Sequence, residues 1–89
     1  MPTVRFTDNI QRHVECPTRQ VDGVRVREVL DAYFRANGRA RWYVLDDQGR
    51  LREHMAIFVD GGLIADRHGL TDPVPADGIV DVIQALSGG

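Results

Sequence analysis

The chain has 89 residues, of which 43% are hydrophobic and 27% are charged, and its formal net charge is -2. A chain of this length forms one domain with a single modest core, which buries roughly 60% of the surface of the unfolded chain. The near balance of charges argues against a nucleic-acid binder, which normally has a clear basic excess. No stretch approaches about 18 consecutive apolar residues, so we expect no membrane-spanning helix.

Cysteine and lysine usage add two further constraints. The only cysteine, Cys16, excludes an internal disulfide framework and suits a reducing compartment. The first residues lack the basic stretch and apolar run of a secretory signal, so we expect a cytoplasmic protein. All 11 basic residues are arginines. One copy therefore cannot be joined to another through a lysine side chain.

The first half of the chain predicts a hairpin followed by a helix. Residues 3–7 alternate between polar and apolar side chains, as do residues 12–16, so both segments are typical of strands. The period then changes to that of a helix over residues 25–37, which we expect to end at Asn37-Gly38. Its apolar stripe follows helical spacing and consists of Val26, Val29, Leu30, Tyr33 and Phe34.

The second half predicts further strands, the last of which runs almost to the end of the sequence. The predicted strands are residues 41–45, 55–59, 63–65 and 79–83, with turns at residues 46–49 and 60–62. A single amphipathic helix is the only cover available for the apolar face of their sheet. The sequence therefore predicts an α+β protein of the β-grasp (ubiquitin-like) type, with a mixed sheet of four to five strands on one main helix. Residues 1–86 would form this domain and residues 87–89 a flexible Ser-Gly-Gly tail.

The C-terminal tail is the part of the sequence that indicates a chemical function. Gly88 and Gly89 have no side chains, so the end of the chain can enter a channel too narrow for any Cβ atom. The carboxylate of Gly89 would be ionised, with an ordinary pKa near 3.5, and is therefore a poor electrophile. It becomes reactive once a partner attaches a leaving group, as ATP-dependent adenylation does.

With these features the chain resembles the MoaD/ThiS family of ubiquitin-like sulfur carriers over nearly its whole length. The resemblance is carried by the strand motif Ala-Ile-Phe-Val-Asp-Gly at residues 56–61 and by the helix ending at Asn37-Gly38. The most specific part is Pro-Ala-Asp-Gly-Ile-Val-Asp-Val-Ile at residues 75–83, which leads to the glycine pair Gly88-Gly89. The longer segment between the helix and the fourth strand is more similar to MoaD and CysO-type carriers than to the shorter ThiS proteins.

The resemblance implies a carrier cycle that a partner drives. A ubiquitin-activating-type enzyme, MoeB/ThiF-like, would consume ATP to adenylate Gly89, and the adenylate would become a thiocarboxylate. A sulfur-accepting synthase would then use it: a MoaE-like molybdopterin synthase subunit, a thiazole synthase or a cysteine-synthase-like enzyme. Molybdopterin and cysteine-type pathways are favoured. We expect no catalytic activity, bound cofactor or metal in the isolated chain, which would be a monomer.

A docking patch beside the tail is also predicted. If Met55 and Ile57 face the core, Phe58 lies on the outer side of the sheet, as does Ile83. Together with Leu86 and Ser87, these residues would contact the partner. Two other functions share the same features. The chain could be a protein modifier conjugated through Gly89, or a β-grasp module that binds partners without covalent chemistry.

Overall fold

The computed structural model describes residues 1–85. This part of the chain contains five strands and three helices. In order they are β1 (Thr3–Phe6), α1 (Asp8–Gln11), β2 (Arg19–Gln20), α2 (Val26–Ala36), α3 (Gly38–Val44), β3 (Met55–Val59), β4 (Gly62–Leu63) and β5 (Ile79–Gln84). None of these helices is both long enough and apolar enough to cross a membrane.

The strands form one mixed, five-stranded sheet in the order β2-β1-β5-β3-β4. The last strand, β5, lies at its centre, parallel to β1 and antiparallel to β3. A parallel neighbour needs a long crossover connection, and here the crossover carries α2 onto one face of the sheet. The predicted α+β, β-grasp architecture is confirmed.

The core lies between α2 and the inner face of the sheet. The predicted stripe of α2 is buried along its length, and Tyr33 is fully enclosed. From the sheet, Val4, Ile57, Val80 and Val82 reach the same core and are each 0% exposed. Because apolar burial contributes about 25 cal/mol per Å², this helix–sheet contact is the main source of stability.

The prediction of a second strand at residues 12–16 is wrong. The antiparallel partner of β1 is the two-residue β2, and the short helix α1 lies between them in the sequence. The main-chain N–H groups of His13 and Val14 bond to the carbonyl of Ile10, so the chain turns there. The predicted inward direction of Val14 and Cys16 is confirmed, since Cys16 is buried and Val14 packs against the core.

The prediction of a strand at residues 41–45 is also wrong, because residues 41–44 lie in α3. Ala40 and Val44, four residues apart, are both fully buried, and that spacing is helical. The end of α2 at Asn37 is confirmed, but α3 begins at the next residue, Gly38, which does not adopt a left-handed conformation.

The two strands next to the chain end agree with the sequence. Strand β3 spans the predicted residues 55–59, and β5 begins at Ile79 as expected. Between β3 and the short β4, Asp60 and Gly61 have φ angles of 49° and 84°, which fits a tight hairpin turn. The carboxylate of Asp60 also accepts a 2.8 Å hydrogen bond from the N–H of Ile79, which ties this turn to the start of β5.

Candidate functional site at the end of the last strand

The carboxyl end of β5 is held by three kinds of contact. On one side the N–H of Thr7 donates to the carbonyl of Val82 at 3.2 Å, and on the other β3 pairs with β5 up to Gln84. Beyond the strand, the N–H of Ala85 donates to the carbonyl of His54 at 2.7 Å. The chain is thus anchored to the sheet as far as residue 85. The predicted site residues Leu86, Ser87, Gly88 and Gly89 lie outside the described residues.

The structure places Phe58 and Ile83 together on the outer face of the sheet. Side chains alternate along β3 and β5, so Ile57 and Val82 point to the core while Phe58 and Ile83 point away from it. Both outward side chains are half-buried. The edge residue Leu63, which pairs with Phe58, continues the same apolar surface and is 64% exposed. The docking role of this surface remains a prediction.

An ion pair lies at the centre of the outer face. The guanidinium of Arg5 on β1 donates two hydrogen bonds, of 2.7 and 3.0 Å, to the carboxylate of Asp81 on β5. The hydrogen bond and charge of Asp81 raise the pKa of Arg5. Asp81 pairs with Phe58 across the sheet, so the apolar surface borders a charge that is already neutralised. Such a pair allows an apolar partner to cover it at less cost than a lone charge.

The opposite side of the β5 end carries an aromatic hollow that the sequence did not predict. Its volume is about 260 Å³, and it is lined by Trp42, Tyr43, Arg52, His54, Met55 and Gln84. A helical reading of residues 38–44 would have revealed it, because Trp42 lies between the buried Ala40 and Val44 and therefore faces outward. Trp42 is 59% exposed. We call this surface the Trp42 hollow.

Cys16 is not positioned as a reactive thiol. Its side chain is buried, and burial raises the pKa of the thiol, which keeps it protonated. Within residues 1–85 no group of three or more His, Cys, Asp or Glu side chains is placed to hold a metal ion.

Comparison with known proteins identifies the fold. No family model and no curated protein matches the sequence. SAMP1 from Haloferax volcanii superposes with a TM-score of 0.77 at 22% identity, over 99% of this chain and 98% of that one. The CysO chain of the Amycolatopsis orientalis BexX/CysO complex gives 0.83 at 15% identity, over 100% of both chains. Urm1 from Trypanosoma brucei gives 0.69 at 21%, over 99% and 94%.

The chain has the ubiquitin-like fold. Its structural neighbours are ubiquitin-like proteins of the MoaD/ThiS type, so the resemblance predicted from the sequence is confirmed at the level of the fold. The structural matches to SAMP1 and CysO cover 99% and 100% of this chain. The neighbour SAMP1 is named a small archaeal modifier protein.

Proposed function

We propose that this ubiquitin-like protein is a sulfur carrier whose working group is the C-terminal carboxylate of Gly89. The position of β5 supports this most: the last strand is the central one, the chain after it is anchored as far as Ala85, and four residues follow Ala85. Fully extended, four residues reach about 13 Å, enough to enter a partner's active site while the domain stays outside. The reactive form is one that ends at Gly89, whether it is synthesised or trimmed to that length.

The proposed chemistry has two steps. The carboxylate oxygen of Gly89 attacks the α-phosphorus of ATP, which forms the acyl-adenylate and releases diphosphate. A sulfide-level sulfur nucleophile supplied by the pathway then attacks the acyl carbon and AMP leaves, so that one oxygen is replaced by sulfur. The resulting thiocarboxylate is a nucleophile that can deliver its sulfur to an acceptor. Adenylation supplies the leaving group that an ionised carboxylate lacks.

Both steps require partner proteins. Adenylation would be carried out by a MoeB/ThiF-like enzyme of the ubiquitin-activating type, which consumes the ATP. A MoaE-like subunit, a thiazole synthase or a cysteine-synthase-like enzyme would accept the sulfur. The neighbour CysO was solved in complex with BexX, which supports the binding of a partner protein by this fold here as well. Ile83, near the end of β5, and Phe58, on the neighbouring strand β3, would be covered on docking. The cycle would run in the cytoplasm.

Mass spectrometry of the intact protein tests this function. After incubation with ATP, a sulfur donor and a candidate activating enzyme, we expect a mass gain of about 16 Da from replacement of oxygen by sulfur. The matched control carries one extra alanine after Gly89, which moves the carboxylate without changing the domain. An unchanged mass with every candidate enzyme, or the same gain in the extended variant, would contradict the proposal.

A protein modifier is the second candidate, because two structural neighbours are named small archaeal modifier proteins. In this role the activated Gly89 would form an amide with a lysine of another protein. The chain offers no lysine of its own, so copies could not be linked through lysine side chains. High-molecular-weight adducts that appear in cells with the protein ending at Gly89, and disappear with the alanine-extended variant, would favour this role over sulfur transfer.

A non-covalent β-grasp module would bind its partner equally well with and without the extension.

A further inference from the structure

The Trp42 hollow lies next to the end of β5 on the side away from Phe58 and Ile83. Gln84, the last residue of β5, lines the hollow, and His54, whose carbonyl accepts the Ala85 N–H, lines it too. Gln84 pairs with the inward Met55, whereas Ile83 pairs with Ala56 on the outer face. The chain therefore leaves the sheet between two surfaces, of which only the outer one belongs to the predicted docking patch.

Aromatic side chains make the hollow a preformed apolar recess. The imidazole of His13 stacks on the ring of Tyr43, with centroids 5.7 Å apart and planes within 14° of each other. Met55 is buried and closes the recess toward the core. Trp42 is exposed at its rim, where a tryptophan contributes a large apolar surface at little cost in side-chain entropy. Tryptophan, tyrosine and arginine are the residue types that dominate binding energy at protein interfaces.

The charge around Trp42 is positive. The guanidinium of Arg41 lies 5.1 Å from the centre of the Trp42 ring, and the Nε of Arg52 donates to the Trp42 carbonyl at 2.9 Å. Within residues 1–85 neither guanidinium forms an ion pair with a carboxylate. Both are held in place by Trp42 and keep further N–H donors for a ligand. Glu53 is exposed in the adjacent hollow, which shares Arg52 and His54 with this one.

We propose that the Trp42 hollow is a second docking surface, which receives an apolar side chain flanked by carboxylates from the protein that handles the C-terminal tail. This inference rests on the proposed function, because it assigns the partner's chemistry at the same end of β5. The apolar side chain fills the recess against Trp42 and Tyr43, and the carboxylates pair with Arg41 and Arg52. Complementary charge speeds association and orients the partner. Two surfaces that flank the tail would fix its direction as it enters the partner's active site.

A peptide of this chemistry tests the surface without any enzyme. The probe is a capped hexapeptide with Leu-Phe at its centre and two glutamates on either side. Trp42 is the only tryptophan of the chain, so its emission reports binding at the hollow directly. We expect a saturable change in that emission, and amide chemical-shift changes centred on residues 42–43 and 52–55. Raising the salt from about 50 to about 300 mM should weaken binding at least about threefold.

Variants and control peptides decide between this surface and its rivals. Arg52→Ala and Arg41→Ala should each weaken binding about threefold to tenfold, whereas Arg35→Ala, on the exposed side of α2, should leave it unchanged. Equal binding of a peptide with lysines in place of the glutamates, or shifts centred on Phe58, would overturn the proposal. So would an emission change of the same size on truncation of the chain after Ala85, since the protein's own tail would then occupy the hollow.

The peptide assay and the thiocarboxylate assay fail independently. Peptide binding needs neither ATP nor an activating enzyme nor Gly89. A mass gain of the protein without peptide binding would overturn the second docking surface alone. Peptide binding without a mass gain under any enzyme would contradict the sulfur-carrier function, while the recognition chemistry of the hollow would stand.

Discussion

The hydroxyl of Tyr33 donates a 2.6 Å hydrogen bond to the main-chain carbonyl of Pro17. Tyr33 is fully buried on α2, and its ring packs against Phe6 and Phe34 with centroid distances of 5.0 and 5.7 Å. The bond ties the irregular segment before β2 to the core helix. The segment does not pair in the sheet, and this hydrogen bond holds it in place at Pro17 instead.

Removal of this hydroxyl should destabilise the domain. Tyr33→Phe leaves the Pro17 carbonyl without its donor, so we expect the free energy of unfolding to fall by about 1–2 kcal/mol, as measured by urea denaturation. Tyr43→Phe is the matched control, because Tyr43 is only half-buried and its ring packs on His13. Equal stability of the Tyr33→Phe variant and the wild type would mean that the bond contributes nothing.

The same residue predicts a pH dependence on the alkaline side. Burial raises the pKa of the Tyr33 phenol above its usual value of about 10, so the folded state favours the neutral form. The contribution is complete below pH 10 and is lost as the pH rises above it, because the unfolded chain then ionises more readily. Between about pH 10 and pH 12 the wild type should therefore lose stability more steeply than Tyr33→Phe. Parallel curves would contradict the assignment.

Two glycines should respond in opposite ways to alanine. Gly23 has a φ of 153°, and a Cβ there would lie 2.8 Å from both Cγ2 and the main-chain N of Val29. Gly23→Ala should cost more than about 2 kcal/mol of unfolding free energy. A Cβ on Gly38 meets nothing within 4 Å, and this residue lies in α3. Gly38→Ala should therefore increase the free energy of unfolding by up to about 1 kcal/mol and raise the melting temperature. Equal changes in unfolding free energy in the two variants would contradict this steric explanation.

The loop after β4 holds an acidic side chain with a strongly lowered pKa. Hydrogen bonds from the Thr71 hydroxyl at 2.7 Å and the Gly69 N–H at 2.8 Å hold the pKa of Asp66 at about 2. Because the folded pKa is depressed, the contribution to stability is present above pH 4 and is lost as the pH falls toward 2. Thr71→Val should move the Asp66 pKa upward in a carboxyl NMR titration, while Thr18→Val, in an exposed segment, should not.

The outer-face patch can be tested through the carrier reaction itself. Phe58→Ser removes apolar surface that a partner would cover, so we expect formation of the Gly89 thiocarboxylate to slow about tenfold or more at limiting enzyme. Val24→Ser is the control, since Val24 is 64% exposed but lies before α2, away from β5. Both variants should keep the wild-type circular dichroism spectrum. An unchanged rate in Phe58→Ser would assign docking to other residues.

Hydrophobic periodicity predicted the parts of the fold that bury one complete face. The α2 stripe, the inward Ile57 and the outward Phe58 follow directly from helical and strand periods. The fold type then followed from element order, because one helix can cover only one sheet face. The candidate site could be placed at the end of β5 because the sequence predicts β5 as the last strand. Residues 86–89 lie outside the described structure.

The two errors arose where local preference and tertiary packing disagree. Residues 41–45 are rich in aromatic and β-branched side chains, yet the burial of Ala40 and Val44 selects a helix. Residues 12–16 alternate correctly, but Pro17 follows them without an N–H to donate to a sheet, and pairing is deferred to β2. The first error concealed the Trp42 hollow, because a strand would have turned Trp42 into a packing residue.

The central place of β5 has a mechanical consequence. A pull applied through its carboxyl end runs along the strand and loads its ladders with β1 and β3 together, in shear, so that many hydrogen bonds must break at once. A terminal segment at the sheet edge would instead peel away one bond at a time. An enzyme that binds the terminus can therefore pull on it or move it without unfolding the domain.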